Sequence, residues 1–106
     1  MIAWWFYFVA IPAATLLANG IPHFIQGISG RRFPTPFSGG PGTEDTAVSN
    51  VVWGSTNLIA GGVLLWTIRE GLSHPLLVLE LLVVGVAVAS LLAYAFSHPA
   101  RFGWRR

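Results

Sequence analysis

Three apolar runs, Ile2 to about Pro22, Val51 to Ile68 and Pro75 to Phe96, fill most of the chain, and Glu80 is the one ionisable side chain well inside any of them. A hydrocarbon core of ~30 Å takes roughly 20 helical residues at ~1.5 Å each, so each run is long enough to cross a bilayer and a fourth does not fit. Charged residues make up 9% of the chain and apolar ones 54%, the reverse of what keeps a small soluble domain dissolved. Three such helices leave no amphipathic outer layer to cover a buried core. The expected fold is an all-α integral membrane bundle of three transmembrane helices, at about 2–28, 47–70 and 75–98, joined as one domain.

The polar residues between the runs suggest an orientation. With three spans, the Pro/Gly-rich loop at 29–46 and the C-terminal tail share one side. Arg31, Arg32, Arg101, Arg105 and Arg106 fall there, against Arg69 alone on the other side, so the positive-inside rule predicts N-terminus out and C-terminus in. Trp4, Trp5, Tyr7 and Trp66 are placed for one aromatic belt and Trp104 for the other. The six arginines, with no lysine, therefore read as topology and not as a nucleic-acid surface. Met1 to Phe6 lacks the basic segment of a signal peptide, so the first run is expected to stay as a helix. A bacterial cytoplasmic membrane is the expected location.

Local signals set the element ends. Pro12 and Pro22 each remove a backbone donor from the first helix, which is expected to reach Gly27 or Gly30. The loop Arg31 to Gly42 is rich in proline and glycine and should be extended or turning, with Phe33 and Phe37 available to a bilayer surface or a protein groove. Thr43, Asp45 and Thr46 are N-cap candidates for the second helix, Gly71 is a candidate left-handed cap at its end, and Pro75 opens the third.

Projection at ~100° per residue sorts the polar groups onto faces. Asn19, His23 and Gln26 share a stripe on the first helix; Asn50, Gly54, Asn57 and Gly61 share one on the second; Glu80, Ala87, Leu91, Tyr94 and His98 share one on the third. Small residues repeat every four positions as Ala10, Ala14, Ala18 and as Gly85, Ala89, Ala93, the spacing of close helix approach. Asn19, His23, Gln26, Asn50, Tyr94 and His98 then cluster toward the loop side, with Glu80 isolated in the opposite half. Asn50 and Asn57 suit interhelical hydrogen bonding. His23 and His98, at similar predicted depth on different helices, are the pattern of axial haem ligation or of a quinone site, against the simpler reading of structural histidines. Glu80 suits a proton-coupled carrier or a carboxyl that is protonated or bonded to Thr67 or His74.

The segments His-Phe-x-x-Gly-x-x-Gly (His23 to Gly30), Phe-x-Thr-Pro-Phe (Phe33 to Phe37) and Asn-x-x-Trp-Gly-x-x-Asn (Asn50 to Asn57) resemble those of a group of short bacterial integral membrane proteins of uncharacterised activity. The resemblance implies that the three segments work together and implies no activity. Without a cysteine, a phosphate loop or a nucleophile with its base, the expected function is non-catalytic. The chain reads as an accessory or scaffolding subunit that packs on other membrane subunits or on copies of itself, with Phe33, Phe37, Gly85, Ala89 and Ala93 as contact candidates. A haem- or quinone-holding subunit and a small transporter using Glu80 are the alternatives. No metal site is expected, and no cofactor is required.

Overall fold

The computed structural model describes residues 2–38 and 43–98. Arg101, Trp104, Arg105, Arg106 and the Pro41-Gly42 pair lie outside the described residues. Within them the chain is helical, with α1 at Trp5–Ile28, α2 at Ala47–Thr67 and α3 at Pro75–Ser97. All three are long and apolar enough to cross a membrane.

Each boundary has a local cause. α1 runs unbroken through Pro12 and Pro22 to Ile28 and is closed by Gly30, whose φ of 75° only glycine adopts without cost. There Gly30 N–H bonds Gly27 O at 3.0 Å and Arg31 N–H bonds Gln26 O at 2.9 Å, the paired closure of a Schellman motif. Thr46 caps α2 by accepting the Ser49 amide at 3.1 Å. α2 stops at Thr67, short of the expected residue 70, and a 3-10 turn at Arg69–Ser73 leads to Pro75 in the first turn of α3. Gly71 is not left-handed as the sequence suggested; it is buried, and a Cβ there would run into Leu77 and Phe6. Glycine at 71 makes room for packing and does not reverse the chain.

α1 is the central helix: α2 packs along it, α3 packs against it less extensively, and α2 and α3 scarcely meet. At the end holding the α1 N-terminus, Phe6, Ala10, Ile68 and Leu77 form the apolar core. The α1–α2 seam is lined instead by small and polar residues. Every buried residue of α2, namely Asn50, Gly54, Asn57 and Gly61, faces α1 along the stripe projected from sequence. Only Leu77 of α3 is buried, so most of that helix is open to lipid or to another protein.

Candidate functional site

The most connected polar side chain is Asn50, fully buried at the start of α2. Its Nδ2 donates to Phe33 O at 2.8 Å and Thr46 O at 3.0 Å, with Asp45 O at 3.5 Å. Carbonyl oxygens only accept, so they fix which end of the amide faces them. Oδ1 is left facing His23 Nδ1 at 2.9 Å, and in the neutral imidazole Nδ1 must carry the proton. The other nitrogen, Nε2, then holds a lone pair and makes no hydrogen bond among the described residues.

Aromatic rings enclose that imidazole. His23 is 3% exposed, and Phe33, Trp53 and Phe96 present edges or faces to it at ring separations of 5.3, 6.5 and 6.3 Å. Phe33 and Phe96 touch each other at 4.6 Å, so the loop, α1 and α3 all meet on one histidine. Phe33 therefore turns into the bundle. Phe37 is the exposed ring, 72% open, and lies 5.3 Å from Trp53.

The loop is held in place by a short strap. Phe33 and Asp45 exchange backbone hydrogen bonds at 3.2 and 2.9 Å, an isolated antiparallel bridge. Thr35 donates its hydroxyl to Asp45 Oδ2 at 2.6 Å, and the Thr46 amide donates to Oδ1 at 2.8 Å. These bonds, the Thr35 hydroxyl first, hold the Asp45 carboxyl below its ordinary value. The folded value is depressed, so this contribution is complete above the unfolded value of about 3.9 and fades as pH falls through the folded one. Protection of the Phe33 and Asp45 amides, measured as exchange relative to the intrinsic rate at each pH, should accordingly fall on acidification below about pH 4, and Asp45→Asn should abolish that pH dependence. Equal loss of protection in the Asp45→Asn variant would rule out this carboxylate as the cause.

A second polar layer lies farther along the seam. Asn19 Nδ2 donates to Asn57 Oδ1 at 3.1 Å, and Asn57 Nδ2 returns to Trp53 O at 2.8 Å. Asn19, His23, Asn50 and Asn57 are thus brought together as two interhelical bonds on one seam. Gln26 is not part of it; its Oε1 accepts from Arg31 at 3.3 Å on an exposed surface.

The expected grouping of His98 and Tyr94 with His23 does not occur. Their rings stack on each other at 4.2 Å, and His98 Nδ1 lies 2.9 Å from Tyr94 O. Two residues of helix are ~200° of rotation, so with Phe96 turned toward His23, Tyr94 and His98 sit on the far side of α3. A His23–His98 axial pair within one chain does not fit this arrangement. No group of three metal-ligating side chains occurs among the described residues.

Glu80 also stands apart. One of its carboxyl oxygens is enclosed without a hydrogen-bond partner, Thr67 gives its hydroxyl to Leu64 O at 2.6 Å, and Arg69 lies 3.8 Å from Glu70. The small stripe Gly85, Ala89, Ala93 faces Ala14 and Ala18 of α1 across an apolar crevice of about 610 Å³ that reaches Pro22 and Phe96. That crevice separates the two helices, and a Cβ at Gly85 would meet nothing within 4 Å.

Two residues of this site are not among the candidates named from sequence: Trp53, which enters only as part of the Asn-x-x-Trp-Gly-x-x-Asn segment, and Phe96. Trp53 stands three positions after Asn50, one helical turn along the same side, which is the signal that could have found it. Phe96 has no such mark, since phenylalanine in an apolar helix looks the same whether it faces lipid or protein. No protein-family model, curated protein or solved structure matches this chain.

Proposed function

We propose that the chain is a small non-catalytic subunit of a bacterial cytoplasmic membrane, assembling through the outer face of α3 with another membrane subunit or with copies of itself. The observation that carries this reading is the Glu80 carboxyl, placed in a membrane-spanning helix with one enclosed oxygen that finds no donor among the described residues. Such groups are costly in hydrocarbon and ordinarily face a protein interior. On the same face Leu79, Val83 and Leu91 are 56%, 58% and 68% exposed, a surface that a neighbouring helix covers. Arg31 and Arg32 on the loop, against Arg69 at the opposite end, support a loop facing the cytoplasm.

The chain has no cysteine, so single cysteines report cleanly on neighbours. A thiol-linked photo-crosslinker at Val83 or Ala87 should capture a discrete adduct in native membranes, whereas the same probe at Ile59 on the open face of α2 should not. Monodisperse monomer in mild detergent, with no adduct from any of the three positions, would sink the proposal.

A further inference from the structure

The crevice between α1 and α3 differs from the α1–α2 seam in that none of its lining residues carries a polar side chain. On α3 it runs from Leu81 to Phe96, about 22 Å at ~1.5 Å per residue, which exceeds one leaflet's half of a ~30 Å hydrocarbon core. A volume of about 610 Å³ over that length gives a mean section of about 28 Å². A helix with its side chains is ~10–12 Å across and presents about three times that section, so neither another subunit nor a second copy can seat a helix inside it. Water is excluded as well, because an ordered water needs roughly two to four polar partners and the walls supply none. What fits is a slender apolar chain. Leu82 and Val86 at the rim are 62% and 66% exposed, so such a chain can enter sideways from the bilayer.

The loop-side end of the crevice supplies a charge. Pro22 lines that end on α1, and Gln26, one helical turn farther along the same side, accepts from Arg31 Nη1 at 3.3 Å. The Arg31 amide also bonds Gln26 O at 2.9 Å, so both the backbone and the side chain of this residue are tied to the foot of the crevice. Arg32 is committed elsewhere, donating to Glu44 O at 2.8 Å beside the Asp45 carboxylate. Arg31 is exposed and pairs with no carboxylate among the described residues. We infer that the crevice holds one acyl chain of an anionic phospholipid from the leaflet on the loop side, with its phosphate on Arg31. A guanidinium fork matches phosphate oxygens in pairs, and its charge favours an anionic head group over a zwitterionic one. The apolar walls seat the chain without choosing among lipids; the arginine makes the choice. Leu79 and Val83 lie outside the crevice, so the inference does not depend on what covers the outer face of α3.

The test uses the full chain in mild detergent, supplied in turn with phosphatidylglycerol, with phosphatidylcholine of the same acyl chains and with glycerol phosphate. Retained lipid is counted by native mass spectrometry. One phosphatidylglycerol per chain should be held about fivefold more tightly than phosphatidylcholine, and glycerol phosphate should not compete. Arg31→Gln should remove that preference at unchanged helicity, bringing phosphatidylglycerol down to the level of phosphatidylcholine. Phosphatidylglycerol carrying a diazirine in one acyl chain should label Gly85 and Ala89 ahead of Val83 and Leu91. Gly85→Leu fills space where a Cβ meets nothing within 4 Å, so it should suppress that label without lowering the unfolding temperature. Equal retention of the two lipids, a preference that survives Arg31→Gln, or label spread evenly around α3 as by bulk lipid would each overturn the inference. Competition by glycerol phosphate would overturn it too, since the crevice would then play no part.

Discussion

Replacing Gly54 by alanine will lower the unfolding temperature of the purified protein, while the same change at Gly62 or Gly85 will not. The difference lies entirely in what the new methyl meets. At Gly54 a Cβ would stand 2.5 Å from Phe24 N and 2.9 Å from both Phe24 Cα and Gly20 O, all backbone atoms of α1. Backbone cannot rotate out of the way, so the two helices must separate along the seam. At Gly62 and Gly85 a Cβ meets nothing within 4 Å. Overpacking a tight contact costs about 1–3 kcal/mol, against which alanine recovers at most about 1 kcal/mol of helix propensity. Gly54→Ala should therefore be net destabilising, and Gly62→Ala neutral or mildly stabilising. Gly54→Leu should abolish the cooperative transition, since no part of the larger side chain can be seated between α1 and α2. Gly27→Ala should behave like Gly54→Ala, because its Cβ would lie 2.7 Å from Ala47 O and Val51 N. The measurement is thermal unfolding in one detergent, followed by far-ultraviolet circular dichroism. Equal transitions for Gly54→Ala and Gly62→Ala would show that the seam is looser than described.

That seam was legible in sequence for a physical reason. In a helix without charges, asparagine carries an amide that lipid solvates poorly, and glycine lets a neighbouring backbone approach closely. Where they share one stripe, that stripe faces protein. On α2 the projection isolates Asn50, Gly54, Asn57 and Gly61, and these are the residues buried against α1. On α1 the same arithmetic is less clean: Asn19 and His23 reach the seam, whereas Gln26 turns to Arg31 at the surface. A long polar side chain near a helix end has a second option, the loop, which periodicity does not register.

The candidate site was harder to read than the fold. α3 is apolar on every side, so its hydropathy carries no direction, and the contact to His23 comes from Phe96 instead of from the polar Tyr94 and His98. Projection placed Tyr94 and His98 on one face, and their rings do stack, but it could not say which face of α3 meets α1. Only tertiary packing decides that. The inward turn of Phe33 depends likewise on the bridge to Asp45, a pairing between residues twelve apart across a proline-rich loop with no alternating strand pattern. The bonds through Asn50 join the loop at Phe33 to His23 of α1, a link that no spacing in the sequence marks.

Asn50→Leu should be among the most damaging single substitutions in the chain, and the form of the damage identifies the role. Leucine matches the volume, so the loss is one of hydrogen bonds rather than of packing. It strands His23 Nδ1–H, at a cost of about 1–3 kcal/mol when enclosed without water, while the Phe33 carbonyl loses one of its two donors and keeps the Asp45 amide at 2.9 Å. The Thr46 carbonyl keeps the Asn50 backbone amide at 3.1 Å and suffers less. Asn50→Asp separates the two halves of the network. A carboxylate still accepts from His23, but it turns its second oxygen toward carbonyls that can only accept, so the loop should be released while the histidine bond persists. Amide exchange should then rise at Phe33 and Asp45 in both variants. The double variant His23→Leu, Asn50→Leu tests coupling directly: with the stranded imidazole proton removed, the second substitution should cost less than it does alone. An interaction energy of about 1 kcal/mol or more is expected for two side chains in direct contact. Strict additivity of the two substitutions would mean that the 2.9 Å contact between them contributes nothing, and with it would fall the assignment of Asn50 as the residue that fixes the histidine.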